Sequence, residues 1–197
     1  MRRQLVTGLT MTIALIVLTG IVYPVAVWAI GQGLFKDNAD GSFVKNKDGQ
    51  IVGSSLLGQN FVDSSGSPDS KYFQPRPSAA GDGYDPTKTG GSYLGPSNPK
   101  LIGAVTQRVA DYRTLNHLPA DAQVPIDAVT ASGSGVDPNI SVANAKLQAS
   151  RVADARNLPV DTVLALVTKH TTGRQWGFLG EKVVNVVLLN LDLDQQT

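Results

Sequence analysis

Between Arg3 and Lys36 the chain carries no charged side chain, and its densest part, Leu9 to Ile30, is almost wholly apolar. As a helix those 22 residues rise about 33 Å, enough to cross a hydrocarbon core of about 30 Å. A water-soluble helix of that length needs a polar face, and only scattered Thr and Gly interrupt this one. The stretch is read as a membrane span over residues 9–30, with 1–8 as a short cytoplasmic N-terminus. Pro24 is compatible with that reading, because membrane helices tolerate proline where the freed carbonyl is satisfied otherwise.

Arg2 and Arg3 precede the span, whereas Lys36, Asp37 and Asp40 follow it as a mixed set. Positive charge at the first end favours a cytoplasmic N-terminus and an exterior position for everything after Phe35. Tyr23 and Trp28 fall near the outer end, where aromatic rings prefer the headgroup level. The competing reading is a secretion signal cleaved after Val27-Trp28-Ala29. An uncharged stretch this long exceeds the usual apolar segment of such a signal, so an uncleaved anchor in the inner (plasma) membrane is expected. Either reading puts residues 36–197 outside the cytoplasm.

Those 162 residues suffice for one domain with its own core. Without Arg2 and Arg3 the chain has 15 basic and 16 acidic residues, a balance that gives nucleic acid no electrostatic handle. There is no cysteine, so a disulfide-stapled scaffold is excluded. Residues 36–52 suggest a hairpin or tether, with Phe43-Val44 and Gln50-Ile51-Val52 flanking a Lys47-Asp48-Gly49 turn. In residues 53–99, Gly, Pro and Ser fill 23 of 47 positions, a composition typical of disorder. Yet Phe61, Tyr72, Phe73, Tyr84 and Tyr93 all lie there, so a long ordered loop packed on something is expected.

A helix is predicted from a Ser97 or Asn98 cap to about Leu115, with Leu101, Ile102, Val105, Val109 and Tyr112 at helical spacing. Val124 to Val129 suggests a short strand. A second helix should start at a Ser141 cap, its alanines allowing close approach of a neighbour. A third should follow Pro159 and close near Gly173. The apolar run from Val183 to Leu193 suggests a buried strand. Helices and strands without regular alternation point to an α+β class: a single membrane helix followed by one extracytoplasmic α+β domain.

Motifs for chemistry are weak. Asp85-Pro-Thr-Lys88-Thr89-Gly90 has two residues between Asp and Lys, unlike a phosphorylation loop, and no P-loop is present. Ser97-Asn-Pro-Lys100 fits Ser-x-x-Lys, but it follows Lys88-Thr89-Gly90 instead of preceding it, so acyl transfer is not supported. His117 and His170, without cysteine, make no recognisable metal spacing. Ser132-Gly-Ser-Gly135 could form an anion nest, though a tight loop feeding the second helix explains it better. No catalytic, metal or cofactor residue is assigned.

Several segments together resemble one family. They are Gly53-Ser-Ser-Leu-Leu-Gly-Gln59, Tyr72-Phe-Gln-Pro-Arg-Pro-Ser-Ala79, Gly95-Pro-Ser-Asn-Pro99, Val129 to Pro138, Gln148-x-x-Arg151-Val-Ala153, and Val184-Asn185-Val186 with Leu189-Asn-Leu191. In this order they resemble the C chain of Kdp potassium-transporting ATPases. Tyr93, Asn139 and Lys182-Val183 depart from the residues usual in that family, which argues against obligatory chemistry at those positions. The resemblance implies a small, single-span, non-catalytic subunit beside a channel-like potassium-binding subunit and a P-type ATPase subunit. It implies a role in assembly, and that of a catalytic chaperone raising the ATP affinity of the ATPase subunit. ATP and K+ would be handled by the partners and not bound by this chain. With the domain outside, any action on cytoplasmic nucleotide must pass through conformational coupling. The expected docking surface is the 53–99 loop, with Tyr72, Phe73, Arg76, Ser78 and Tyr93 as candidates. Within the span, Gly8, Thr12, Leu15, Thr19, Val22 and Ala26 form one face at helical spacing, and small residues there permit close approach of a partner helix. An independent anchored or secreted periplasmic binding protein is the alternative.

Overall fold

The computed structural model describes residues 1–196 and divides into two units, Met1–Phe43 and the chain from Val44 onward. The first is dominated by one continuous helix, Arg2–Leu34, none of which is buried. Among the described residues it is the one helix long and apolar enough to cross a membrane, and it outruns the expected 9–30 at both ends. It consists of α1 (Arg2–Val17), a π turn over Leu18–Val22, and α2 (Tyr23–Leu34). The π turn has a local cause. Pro24 has no N–H and its ring crowds the carbonyl four residues back, and a wider turn relieves both. In that turn the Tyr23 N–H donates to Leu18 O, five residues back. A short helix α3 (Lys36–Ala39) follows, with Lys36 and Asp40 paired at 2.6 Å.

The second unit opens inside strand β1 (Phe43–Lys45), which forms a hairpin with β2 (Ile51–Ser54). Its turn has the expected chemistry. Gly49 takes φ +77°, and Asn46 Oδ1 accepts from the N–H groups of Asp48 and Gln50. The helices are α4 (Pro99–Leu115), α5 (Ile126–Val129), α6 (Val142–Arg156), α7 (Val160–Lys169) and α8 (Val186–Gln196). Strands β3 (Asn139–Ser141), β4 (Thr171–Thr172) and β5 (Val183–Asn185) form an antiparallel sheet in the order β3-β5-β4, pairing Ile140 with Val184. The class is α+β, as expected.

Caps explain where the helices start. Asn98, not Ser97, caps α4 by accepting from Lys100 N, and Ser141 caps α6 by accepting from Asn144 N. Asn157, at φ +53°, closes α6 in the left-handed conformation. The alanines of α6 work as expected: Ala145, Ala149 and Ala153 are buried, and α6 packs on α7. With Ile140, Val152, Val163, Val167, Val184, Val186, Leu189 and Leu193 they form one core, joined by Phe73 from the long loop.

Three expectations are corrected. Residues 124–129 contain the short helix α5, not a strand: Pro125 cannot donate to a ladder, and Ala128 N and Thr130 N close helical turns onto Pro125 O and Ile126 O. The third helix ends at Lys169, and Thr171-Thr172 already belongs to the sheet. The run from Val183 is a strand for three residues only, after which Asn185 Oδ1 accepts from Leu188 N and α8 begins. A run so rich in Val and Leu carries no clear period to separate the two forms, and the buried set Val186, Val187, Leu189, Asn190 and Leu193 is helical.

Where α7 ends near α8, Asp192 accepts from Lys169 at 2.7 Å and pairs with His170 Nε2 at 2.8 Å. Chiefly the Lys169 hydrogen bond, then that of His170, holds its carboxyl below the ordinary aspartate value of 3.8 against the opposing effect of burial. A depressed folded pKa stabilises above the ordinary value, and the contribution is lost as pH falls through the folded one. The stability gap between wild type and Asp192→Asn should therefore be widest near neutrality and shrink in acid below that value, as measured by urea titration at stepped pH. Leu189→Ala, which empties a fully buried site, should cost about 2 to 5 kcal/mol in the same assay.

Candidate functional site

The buried face of α6 carries a polar stripe, Asn144, Gln148 and Arg151, beside its alanine ridge. Positions four and three apart share a helix face: Gln148 and Arg151 reach the 69–78 segment, and Asn144 braces Gln148 by accepting from its Nε2 at 2.9 Å. Gln148 Oε1 accepts from Gln74 N at 2.7 Å, and its Nε2 donates to Gln74 O at 3.0 Å. Gln148 thus pairs with the loop backbone as a neighbouring strand would. Asn190 of α8 does the same one residue earlier, accepting from Phe73 N at 2.9 Å and donating to Phe73 O at 3.0 Å.

Arg151 is 2% exposed and donates to Ser70 O at 2.6 Å, Tyr72 O at 3.0 Å and Asn116 Oδ1 at 2.9 Å. Burial lowers its pKa to about 10, which leaves it charged at neutral pH, with main-chain carbonyls and the amide oxygens of Asn116 and Gln148 as its partners. Tyr112 donates to Asn144 Oδ1 at 2.8 Å, and burial pushes its phenol up, keeping the donor proton in place. Asp127 of α5 completes the frame by accepting from Ser141 N, Ser141 Oγ and Asn144 Nδ2.

The other half of the loop is laced to residues 132–138. Ser132 N donates to Pro77 O, Gly90 N to Ser134 O, and Gly58 N to Val136 O. Ser78 Oγ donates to Gly135 O at 2.6 Å. Gly135 has φ +73°, and a side chain there would meet Gly90 O at 2.8 Å and Ala80 Cβ at 2.6 Å. The N–H groups of Ser132, Gly135 and Val136 have internal partners, so these residues serve as a clasp for the loop. Asp85 likewise accepts from Thr87 N and Thr87 Oγ1, a local turn.

A groove of about 660 Å³ lies among the pinned loop, α4 and α6, with Gln74, Arg76, Tyr84, Arg108 and Tyr112 in its lining. Arg76 reaches Asp137 at 3.5 Å, and its Nε is buried without a hydrogen-bond partner among the described residues. No group of three His, Asp or Glu side chains converges in a way that could hold a metal ion among the described residues. What the arrangement does is hold a loop surface in shape.

The candidates taken from sequence separate into distinct environments. Phe73 is fully buried in the core and cannot itself face a partner. Tyr72 is half-buried, stacked near Phe61 with the Arg156 guanidinium 4.8 Å above its ring. Arg76 and Ser78 are half-buried in the clasp, whereas Tyr93 is 88% exposed at φ +52°. In the apolar helix, Gly8 has open space around it, and Thr12 and Thr19 donate to Gly8 O and Leu15 O of their own helix. Their hydroxyl protons are thus used within the helix, and the oxygens remain as acceptors. The π turn adds a residue, so Val22 and Ala26 rotate by about 100° away from the face that Gly8, Thr12, Leu15 and Thr19 share. Sequence reasoning missed Asn116, Asp127, Asn144 and Asn190. Their signal was available in part: Asn144, Gln148 and Arg151 recur at the spacing of the buried alanines.

Residues 5–195 match the sequence profile of the family described as KdpC, K+-transporting ATPase, c chain. The chain is 55% identical over 195 residues to the potassium-transporting ATPase KdpC subunit of Mycobacterium tuberculosis, covering 99% of this chain and all of that one. It is 50% identical over 191 residues to the protein of that name from Kineococcus radiotolerans, covering 97% and 93%, and 43% identical over 194 residues to that of Koribacter versatilis, covering 98% and 95%.

Asn190→Leu keeps the volume but orphans Phe73 N–H and C=O, each worth about 1 to 3 kcal/mol when buried unpaired. The variant should lose more stability than Asn190→Asp, which retains the acceptor, and hydrogen exchange at residues 72–78 should accelerate.

Proposed function

Because the chain belongs to the KdpC family, the c chain of the K+-transporting ATPase, we propose that it is the small accessory subunit of a high-affinity potassium-uptake pump, without catalysis of its own. The observation that carries this is the division of labour in the chain. An apolar helix with no buried residue needs lipid and neighbours, while the domain spends its buried polar groups on fixing a loop surface. The match along nearly the whole chain, helix included, disfavours an independent binding protein.

The N-terminus lies in the cytoplasm, as Arg2 and Arg3 favour, and the domain lies outside. There it docks on the channel-like potassium-binding subunit near its outer entrance. The ATPase subunit binds ATP and the channel-like subunit binds K+, and any effect of this chain on nucleotide affinity travels by conformational coupling. Tyr93 and the exposed rim of the pinned loop are the contact candidates, and Phe73 supports them from beneath. In the membrane, Gly8, Thr12, Leu15 and Thr19 present the partner face.

The test is association. Gly8→Leu and Thr12→Leu should insert normally yet lower the yield of co-purified channel-like and ATPase subunits several-fold. Deleting the chain should abolish growth on micromolar potassium. Unchanged co-purification would leave the helix as a plain tether, and growth without the chain would remove the proposed role.

A further inference from the structure

Between β4 and β5 the chain runs out into a finger. Residues 172–182 are exposed without interruption, and Gln175 and Leu179 pair in both directions, N to O, at 2.9 Å to close its tip. The tip carries the apolar side chains: Trp176 is 85% exposed, Phe178 71% and Leu179 49%. The two rings lie 6.5 Å apart, centroid to centroid. Trp176 adopts φ +52° ahead of Gly177 at φ +83°, a turn position where Asn or Gly is the usual choice. A strained, solvated indole does nothing for the fold beneath it, and such outliers persist where function uses them.

Polarity changes along the finger axis. Behind the apolar tip, Arg174 donates to both carboxylate oxygens of Glu181 at 2.8 Å each, neutralising the acid, and Lys182 adds an exposed positive charge. This order, apolar end first and cationic neck behind, matches the gradient from acyl chains to anionic headgroups. Indole and phenyl rings favour that boundary, which accepts a convex probe without a preformed pocket. The finger belongs to a chain whose N-terminal helix is long and apolar enough to span a bilayer, so the membrane is present at high effective concentration.

We propose that the 173–182 finger is a second bilayer contact, with Trp176, Phe178 and Leu179 seated in the headgroup–acyl boundary. This goes beyond subunit docking and rests only on the membrane anchor.

The experiment uses the full chain as Trp28→Phe, which leaves Trp176 as its only indole. Reconstituted alone in phosphatidylethanolamine–phosphatidylglycerol vesicles, Trp176 should emit to the blue of its urea-unfolded position. Lipids brominated near the headgroup end of the acyl chain should cut its emission several-fold, and aqueous iodide should have little effect. As a second readout, Gln175→Cys in this cysteine-free chain, spin-labelled, should be more accessible to oxygen than to a water-soluble nickel complex. A water-like emission open to iodide, or a nickel-accessible label, overturns the proposal. So does a Trp176 that shifts only when the partner subunits are added and ignores brominated lipid, which would make the finger a protein contact.

Discussion

The domain from Val44 onward depends on the pairing of buried amides with a loop that runs from β2 to α4 without a helix. Residues 53–99 cannot bury enough apolar surface to order themselves, and their backbone groups need partners once covered. Gln148, Asn190 and Arg151 supply those partners from α6 and α8. They act as the missing neighbouring strand, one residue at a time. Because both donor and acceptor functions of each amide are used, removing one leaves several loop groups unpaired in a low-dielectric setting.

The same economy explains the small sheet. Three short strands bury little by themselves, and helices α6, α7 and α8 bring most of the core. The alanine ridge of α6 lets α7 approach closely, while the polar stripe next to it faces the loop. One helix therefore serves two neighbours with two chemistries. In the first unit a single proline sets the local geometry: the π turn before Pro24 divides the helix into two segments whose faces are out of register.

Much of this was legible in sequence, for identifiable reasons. The apolar helix, the Asp48-Gly49 turn, the Asn98 or Ser141 caps and the α6 alanines each rest on local rules that tertiary structure had no reason to override. The failures were of another kind. Eight of the eleven residues in the 183–193 run are Val or Leu, spread over every helical phase, so the Asn185 cap is the clearest mark of its switch to helix. Phe73 looked like a contact aromatic because its loop is rich in Gly, Pro and Ser, yet its ring joins an apolar core and its backbone pairs with Asn190, both distant in sequence. The shift of Val22 and Ala26 off the shared face followed from Pro24, whose effect on helical phase a uniform 3.6-residue period does not include. Loop clasps such as Ser78 to Gly135 depend on pairings that no periodicity encodes.

The sequence separations of the loop's anchors set an order of events. Gln74 waits for a partner 74 positions later, and Phe73 for one 117 positions later. During synthesis the loop emerges well before α6 and α8 exist, and closing such long loops carries an entropic penalty that local hairpins avoid. Its backbone is therefore expected to gain exchange protection last, when α8 docks. The shape of the loop surface would then come into being only once α8 has been made, so a copy cut before α8 would carry an unpinned loop.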